Sequence, residues 1–247
     1  MTVTDYDALR RELGVPDLGP DDDPTRRATF WRQAATRAPL LTRGVLANPD
    51  DRLRADFGFG RDDVAWEAHV SDADGAPLGW VLAMRPGVDW RGVRRAVTAG
   101  AGPLLGAAVR AEDGLVLSGG VGEVSGSWAT TPEVTGVLRE VPAAAATYIE
   151  LGCRRGSEAA ATSALEPLAA YAVTFEGGLA TAWLGPDRTD LFARADLGGD
   201  DPLFVAGFEG GVGDPGTGRI GFRLTDPAAA ARYTARHGLP AGACAQE

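Results

Sequence analysis

The chain of 247 residues carries a formal net charge of −10, and 45% of its residues are hydrophobic. This apolar fraction is ordinary for globular proteins and argues against wholesale disorder, while the negative charge opposes binding to nucleic acid or to an anionic membrane. All 24 basic residues are arginine, which excludes Schiff-base catalysis, pyridoxal phosphate attachment and the usual P-loop, because each requires lysine.

The first part of the chain is predicted to form short helices followed by a β-hairpin. Thr4 or Asp5, and then Pro24, stand where helix starts are expected, and alternating apolar residues after Asp63 favour strands. Pro86 and Gly87 break this pattern, so we predict a helical region with a hairpin over residues 1–86. The predicted elements are helices over residues 5–13, 25–37, 40–46 and 50–57, and strands over residues 64–70 and 79–84.

Residues 87–247 are predicted to form an α+β domain with a mainly antiparallel sheet flanked by helices. Gly177-Gly178 is typical of a hairpin turn, and Asp226 before Pro227 is typical of a helix start. The strands are short and joined by turns, which favours antiparallel pairing. The predicted elements are helices over 90–110, with an interruption near 100–103, over 158–170 and over 227–236, and strands over 115–117, 123–129, 147–151, 171–175, 179–184, 190–197, 203–208 and 219–224.

The N-terminus and the hydropathy of the chain predict a soluble protein of the cytoplasm. Residues 1–13 carry acids where a signal peptide carries cations, and no apolar run approaches the roughly 20 residues of a membrane helix. Cys153 and Cys244 lie far apart in sequence, and Cys244 falls in a tail expected to fray, so we expect no structural disulfide. The bias toward Ala, Gly and Arg is typical of GC-rich bacterial genomes, as in actinobacteria.

The strongest candidate site is the turn around Cys153, where a predicted strand leads into a predicted helix. Free amides at the helix start, Ser157 as its cap and the guanidinium groups of Arg154 and Arg155 would attract a phosphate or carboxylate. The same positive surroundings would favour the thiolate form of Cys153. The alternative is that Cys153 is a small buried hydrophobe at a strand end and that both arginines are solvated.

A second candidate is the pair of His69 and Glu67, which share one face of a predicted strand. They would form an acid–base pair if this face lines a cleft; the alternative is a face turned toward water. The scattered histidines and cysteines predict no metal site. The glycine-rich residues 119–126 precede a β-like sequence rather than a helix, so we expect a hairpin turn, no dinucleotide site and no cofactor.

Residues 30–86 carry a pattern of helical residues, then the sequence from Leu46 to Leu53 with Asn48-Pro49-Asp50-Asp51, a glycine and a hairpin ending at residues 81–86. This pattern resembles the nitrile hydratase α-subunit-like module, which also serves as a leader in some ribosomal peptide precursors. Residues 87–90 stand where the hydratase subunit has its cysteine-rich metal-binding sequence, so no metal site is implied. The resemblance implies a docking module that another protein recognises.

These observations support three hypotheses about function. The first is a noncatalytic binding or accessory protein with a protein or peptide partner, in a peptide or specialised-metabolite pathway. The second is an enzyme that acts on a small anionic substrate near Cys153, Arg154 and Arg155. The third is a structural subunit of an assembly.

Overall fold

The computed structural model describes residues 1–42, 44–48, 50–72, 75–118, 121, 132–154 and 165–245. Within these residues the α+β prediction is confirmed, since eight α-helices and ten strands are present and the strand pairs are antiparallel. None of these helices has both the length and the apolar character needed to cross a lipid bilayer.

The chain divides into two compact units. The first consists of residues 1–34 and 42–125, and the second of residues 35–41 and 126–247. The division predicted at residue 86 falls inside the first unit and stays a prediction.

The first unit holds five strands, in the order β4-β5-β3-β2-β1, together with helices. The elements that lie wholly or mainly in it are β1 (Thr2–Asp5), α1 (Tyr6–Glu12), α2 (Pro24–Arg37), α3 (Asp50–Phe57), β2 (Val64–Ser71), β3 (Pro77–Met84), α4 (Trp90–Thr98), β4 (Ala108–Arg110) and β5 (Leu115–Leu117).

The predicted hairpin of the first unit is confirmed as β2 and β3, and α1 begins where Asp5 accepts a hydrogen bond from the Ala8 amide at 2.7 Å. Two predictions are wrong. The described part of residues 40–46 is not helical, and residues 108–110 form a strand rather than the end of a helix. Residues 2–5 form a strand that no local signal indicated, because their pairing with β2 is a long-range contact.

Ion pairs around Asp62 join the helices of the first unit to the start of β2. The Asp62 side chain is almost fully buried and accepts hydrogen bonds from Arg27 at 2.7 Å, Trp31 at 2.7 Å and Arg54 at 3.2 Å. The buried Arg10 of α1 donates to the Asp62 carbonyl oxygen at 3.1 Å. These bonds satisfy charges that would otherwise be costly to bury.

The second unit also holds five strands, in the order β6-β7-β8-β10-β9. Its elements are α5 (Pro132–Glu140), β6 (Ala146–Leu151), β7 (Ala170–Glu176), β8 (Leu179–Trp183), α6 (Leu191–Ala195), α7 (Pro202–Val205), β9 (Phe208–Asp214), β10 (Arg219–Leu224) and α8 (Pro227–His237).

In the second unit, the hairpin of β7 and β8 and the helix α8 are confirmed, with Asp226 accepting from the Ala229 amide at 2.9 Å. The strands predicted over residues 190–197 and 203–208 are wrong, because helices α6 and α7 occupy most of these segments. Residues 165–169 are not helical, and α5 was not predicted. Ala170, the last residue of the predicted helix over residues 158–170, begins β7. Residues 158–164 of that helix and the strand predicted over residues 123–129 lie outside the described residues.

Two aspartates explain why these segments are helical. Asp201 accepts from the Leu203 amide at 2.8 Å and precedes a proline at the first helical position, which is a strong helix start. Asp190 lies one helical turn before Arg194 and accepts from its Nε at 2.6 Å, an interaction that only a helix permits at this spacing.

Asp190 and two arginines form a buried ionic network in the second unit. The Asp190 carboxylate accepts from Arg188 Nε and Nη2, both at 2.8 Å, from the Glu166 amide at 2.8 Å and from Arg194. Burial raises the pKa of Asp190, but the hydrogen bonds from Arg188, from the Glu166 amide and from Arg194 outweigh this effect and lower the pKa to about 2. The carboxylate is therefore ionised at neutral pH.

We predict that Asp190→Asn destabilises the protein by about 3–5 kcal/mol at pH 7, because two buried guanidinium groups lose their counter-ion. The loss should shrink by about 2 kcal/mol between pH 5 and pH 2. Because folding lowers the pKa of Asp190, the ionised carboxylate stabilises the folded protein fully at pH values above the pKa of the unfolded state. This stabilisation is lost as the pH falls through the pKa of the folded state. Urea denaturation at a series of pH values measures both effects.

Arg223→Gln is the matched control, because it removes an ion pair between Arg223 and Glu209 in which both side chains are exposed. It should cost less than about 1 kcal/mol. A loss for Asp190→Asn no larger than that of this control would contradict the assignment of Asp190 as the anchor of the network.

Candidate functional site

The structure joins Cys153 and Cys244 in a disulfide, so the prediction of no structural disulfide is wrong. Sequence distance was a poor guide because the tail is ordered: Arg154 donates its amide to the Gly242 carbonyl at 2.9 Å, and the Cys244 amide donates to the Arg154 carbonyl at 3.0 Å. These two hydrogen bonds place the end of the chain beside the end of β6.

The predicted anion-binding turn is described only in part. Arg154 is engaged within the protein, since its Nη2 donates to the Arg236 carbonyl at 2.8 Å and its Nη1 lies 3.8 Å from the Glu150 carboxylate. Arg155 and Ser157 lie outside the described residues. A role of this turn in binding an anion stays a prediction, and Cys153 has no thiolate while the disulfide is formed.

His69 and Glu67 lie on the same face of β2, as the strand periodicity indicates, with Nε2 and Oε1 2.7 Å apart. Glu67 is 1% exposed. Its two carboxylate oxygens accept from the Gly44 amide at 3.2 Å and the Val45 amide at 2.7 Å. The carboxylate therefore fastens the loop after Thr42 to the sheet, and catalysis by this pair stays a prediction.

A surface hollow of about 530 Å³ lies in the second unit, between α6, α7, β9 and β10. Its walls include the rings of Phe204, Phe208 and Phe222, together with Val205 and Asp196. We call this hollow the apolar groove. It opens to the surface rather than forming an enclosed cavity.

Close packing of α6 on β9 shapes one side of the groove. A side chain at Gly211 would place its Cβ only 2.7 Å from the Ala195 carbonyl oxygen, so glycine is required there. Gly213 similarly lies beside Leu191 and Phe192. The glycines of β9 thus allow a helix to lie directly on the strand.

The aromatic rings beneath the groove pack against one another and are not isolated side chains on the surface. Phe204 stacks on Phe208 with 4.7 Å between centroids and meets Phe222 edge to face at 5.6 Å. Phe204 also meets Tyr233 of α8 at 5.6 Å. Because these rings belong to the hydrophobic core of the unit, the groove is a preformed feature.

Three large apolar side chains beside the groove are exposed to water. Phe192 of α6 and Leu203 of α7 are each 62% exposed, and Val205 of α7 is 47% exposed. Val212 is also exposed, but strand alternation places it on the opposite side of β9 from Gly211 and Gly213. Val205 lines the apolar groove, and Phe192 lies on the face of α6 that carries the lining residues Ala195 and Asp196.

The charges along the groove are acidic. Asp196 is exposed and makes no side-chain hydrogen bond or ion pair with another residue in the described ranges. Glu209 also lines the groove, and it pairs with the exposed Arg223. The groove thus combines apolar walls with a carboxylate that has no counter-ion among the described residues.

Sequence reasoning missed this surface because it predicted strands where α6 and α7 occur. The signals that could have found it are Asp201-Pro202, a helix start, and the spacing of Asp190 and Arg194. With helices in these segments, Phe192 and Leu203 would have stood out as apolar residues opposite the buried Leu191 and Phe204.

Comparison of the chain with protein-family models, curated proteins and solved structures finds no match. The resemblance of residues 30–86 to the nitrile hydratase α-subunit-like module therefore stays a prediction. Within the described ranges, no three or more His, Cys, Asp or Glu side chains are grouped so that they could hold a metal ion.

We predict that Glu67→Ala destabilises the protein by about 1–3 kcal/mol, because the partly buried amides of Gly44 and Val45 lose their acceptor. His69→Ala should cost less than about 1 kcal/mol, since the imidazole is 39% exposed. Thermal unfolding followed by circular dichroism compares the two variants. Equal losses of stability in the two variants would contradict the prediction, because the hydrogen bonds to the loop amides would then add nothing beyond the contact with the imidazole.

Proposed function

We propose that this chain is a noncatalytic binding protein whose apolar groove holds a basic amphipathic peptide segment of a protein partner. The observation that carries the proposal is the exposure of Phe192, Leu203 and Val205 on the two helices that border a preformed hollow. Contiguous exposed apolar surface bordered by polar residues is typical of interaction sites.

Hydrophobic burial would supply the attraction. Covering a large apolar side chain contributes on the order of 1.5–3 kcal/mol, and three such side chains border the groove. Because the walls belong to the packed core, little ordering entropy opposes binding on this side of the complex. The open shape suits a peptide segment better than a small molecule, which would need a more enclosed cavity to be covered.

Charge favours a basic partner. Asp196 offers a carboxylate at the edge of the groove, and the whole chain has a net charge of −10. A lysine or arginine of the partner would pair with Asp196, and the overall charge would speed its encounter. An acidic partner would be repelled by both.

The biological setting of the proposal comes from the sequence. The resemblance of residues 30–86 to a leader-type module is the reason for placing the protein, as an accessory factor, in a peptide or specialised-metabolite pathway. A peptide-binding groove in the second unit suits that role. The cytoplasm is the compartment predicted from the N-terminal sequence.

We predict that a fluorescein-labelled peptide of roughly 12 residues, three repeats of Leu-Lys-Lys-Leu, binds the oxidised protein with a dissociation constant on the order of 10 μM in 0.15 M salt. The double substitution Phe192→Ser/Val205→Ser should weaken binding about tenfold or more, because it removes apolar contacts at the groove. Asp196→Asn should weaken binding less than the double substitution does. Its effect should be larger at low salt than at 0.15 M salt. Fluorescence anisotropy measures each affinity.

Leu105→Ser is the matched control, because Leu105 is 76% exposed and lies in the first unit; it should leave the affinity unchanged. A peptide with glutamate in place of lysine should not bind. Equal weakening by Leu105→Ser would show nonspecific adsorption. A dimer in light scattering that Phe192→Ser dissociates would assign the groove to a second copy of the chain and overturn the proposal.

A further inference from the structure

The disulfide fixes a buried end of the chain. Residues 239–244, here called the C-terminal segment, include Leu239, Ala241 and Ala243, each at most 1% exposed. A Cβ on Gly242 would lie only 2.3 Å from Cζ of Tyr171, so this segment packs directly on an aromatic ring of the core. The disulfide and two backbone hydrogen bonds hold it beside Arg154.

Arg194 connects this segment to the groove. Its side chain is fully buried, and Nη1 donates to the carbonyl oxygens of Ala241 at 2.7 Å and Ala243 at 2.9 Å. Arg194 belongs to α6, and the next two residues, Ala195 and Asp196, line the apolar groove. Both acceptors of Nη1 therefore lie on the segment that the disulfide holds in place.

Departure of the C-terminal segment would leave Nη1 of the buried Arg194 without these acceptors. A buried cationic group that loses its hydrogen bonds must reach water or new partners. Because Arg194 is the fourth residue of a helix of only five residues, its movement would displace the helix as well. The wall of the groove formed by α6 would then shift.

The sulfurs are placed where a small thiol can reach them. Cys153 and Cys244 are both half-buried rather than enclosed in the core, and exchange requires such access. In the cytoplasm, which the sequence predicts, thiols are kept reduced and disulfides are usually transient or regulatory.

We propose that the Cys153–Cys244 disulfide is a redox switch for the apolar groove, acting through the C-terminal segment and Arg194. The inference rests on the proposed function for its binding consequence. Two equivalents of a low-molecular-weight thiol reduce the bond: the S–S bond between Cys153 and Cys244 breaks, each sulfur gains one electron and one proton, and the reductant is oxidised to its own disulfide. Exchange with a low-molecular-weight disulfide re-forms the bond, reduces that disulfide to two thiols and restores the groove.

The test compares oxidised protein with protein reduced by dithiothreitol, using hydrogen–deuterium exchange and the Leu-Lys-Lys-Leu peptide. Alkylation and mass spectrometry confirm no free thiol before reduction and two after it, since the chain has two cysteines. On reduction, exchange in residues 191–196 and 239–244 should accelerate about tenfold or more, and peptide affinity should fall about tenfold or more. Exchange in β2 and β8 serves as the internal control and should not change.

The double variant Cys153→Ser/Cys244→Ser should behave like the reduced wild type, and the reduced wild type alone decides the matter if the variant does not fold. Unchanged exchange in α6 with both thiols free overturns the switch. Equal acceleration in β8 overturns it too, because the disulfide would then support the whole unit. If the peptide binds neither form, the proposed function fails, while exchange still decides whether the disulfide controls α6.

Discussion

The second unit depends most on the hydrogen bonds that the buried guanidinium group of Arg194 donates. It joins three segments that are distant in sequence, since it donates to Asp190, to the Glu166 carbonyl at 2.7 Å and to the carbonyls of Ala241 and Ala243. A fully buried cation is tolerated only because its Nε and both terminal nitrogens have acceptors. The position of α6, and with it the wall of the apolar groove, follows from this requirement.

The groove is a consequence of how short helices cover an edge of the sheet. Gly211 in β9 lets α6 approach the strand, and Phe204 of α7 packs on Tyr233 of α8. These helices have five and four residues, too few to bury every apolar side chain that they carry. Phe192 and Leu203 are left in water, so the same packing that completes the core creates a surface suited to a partner.

Local signals predicted the elements whose determinants are close in sequence. The cap at Asp226, the turn at Gly177-Gly178 and the alternation in β2 each determine one element, and each was confirmed. The misses have long-range causes: β1 exists because it pairs with β2, and the disulfide exists because Arg154 meets Gly242. The groove was missed for the same reason, since α6 depends on acceptors about fifty residues away.

The central claim is that the groove of α6, α7 and β9 is the binding surface of this protein. The most direct measurement is an amide chemical-shift titration of the isotopically labelled, oxidised protein with a basic amphipathic peptide. The account predicts that the saturating shift changes cluster in residues 191–211, which border the groove, with few in the first unit. Changes that are scattered over the acidic surface, or that cluster in the first unit, would contradict it.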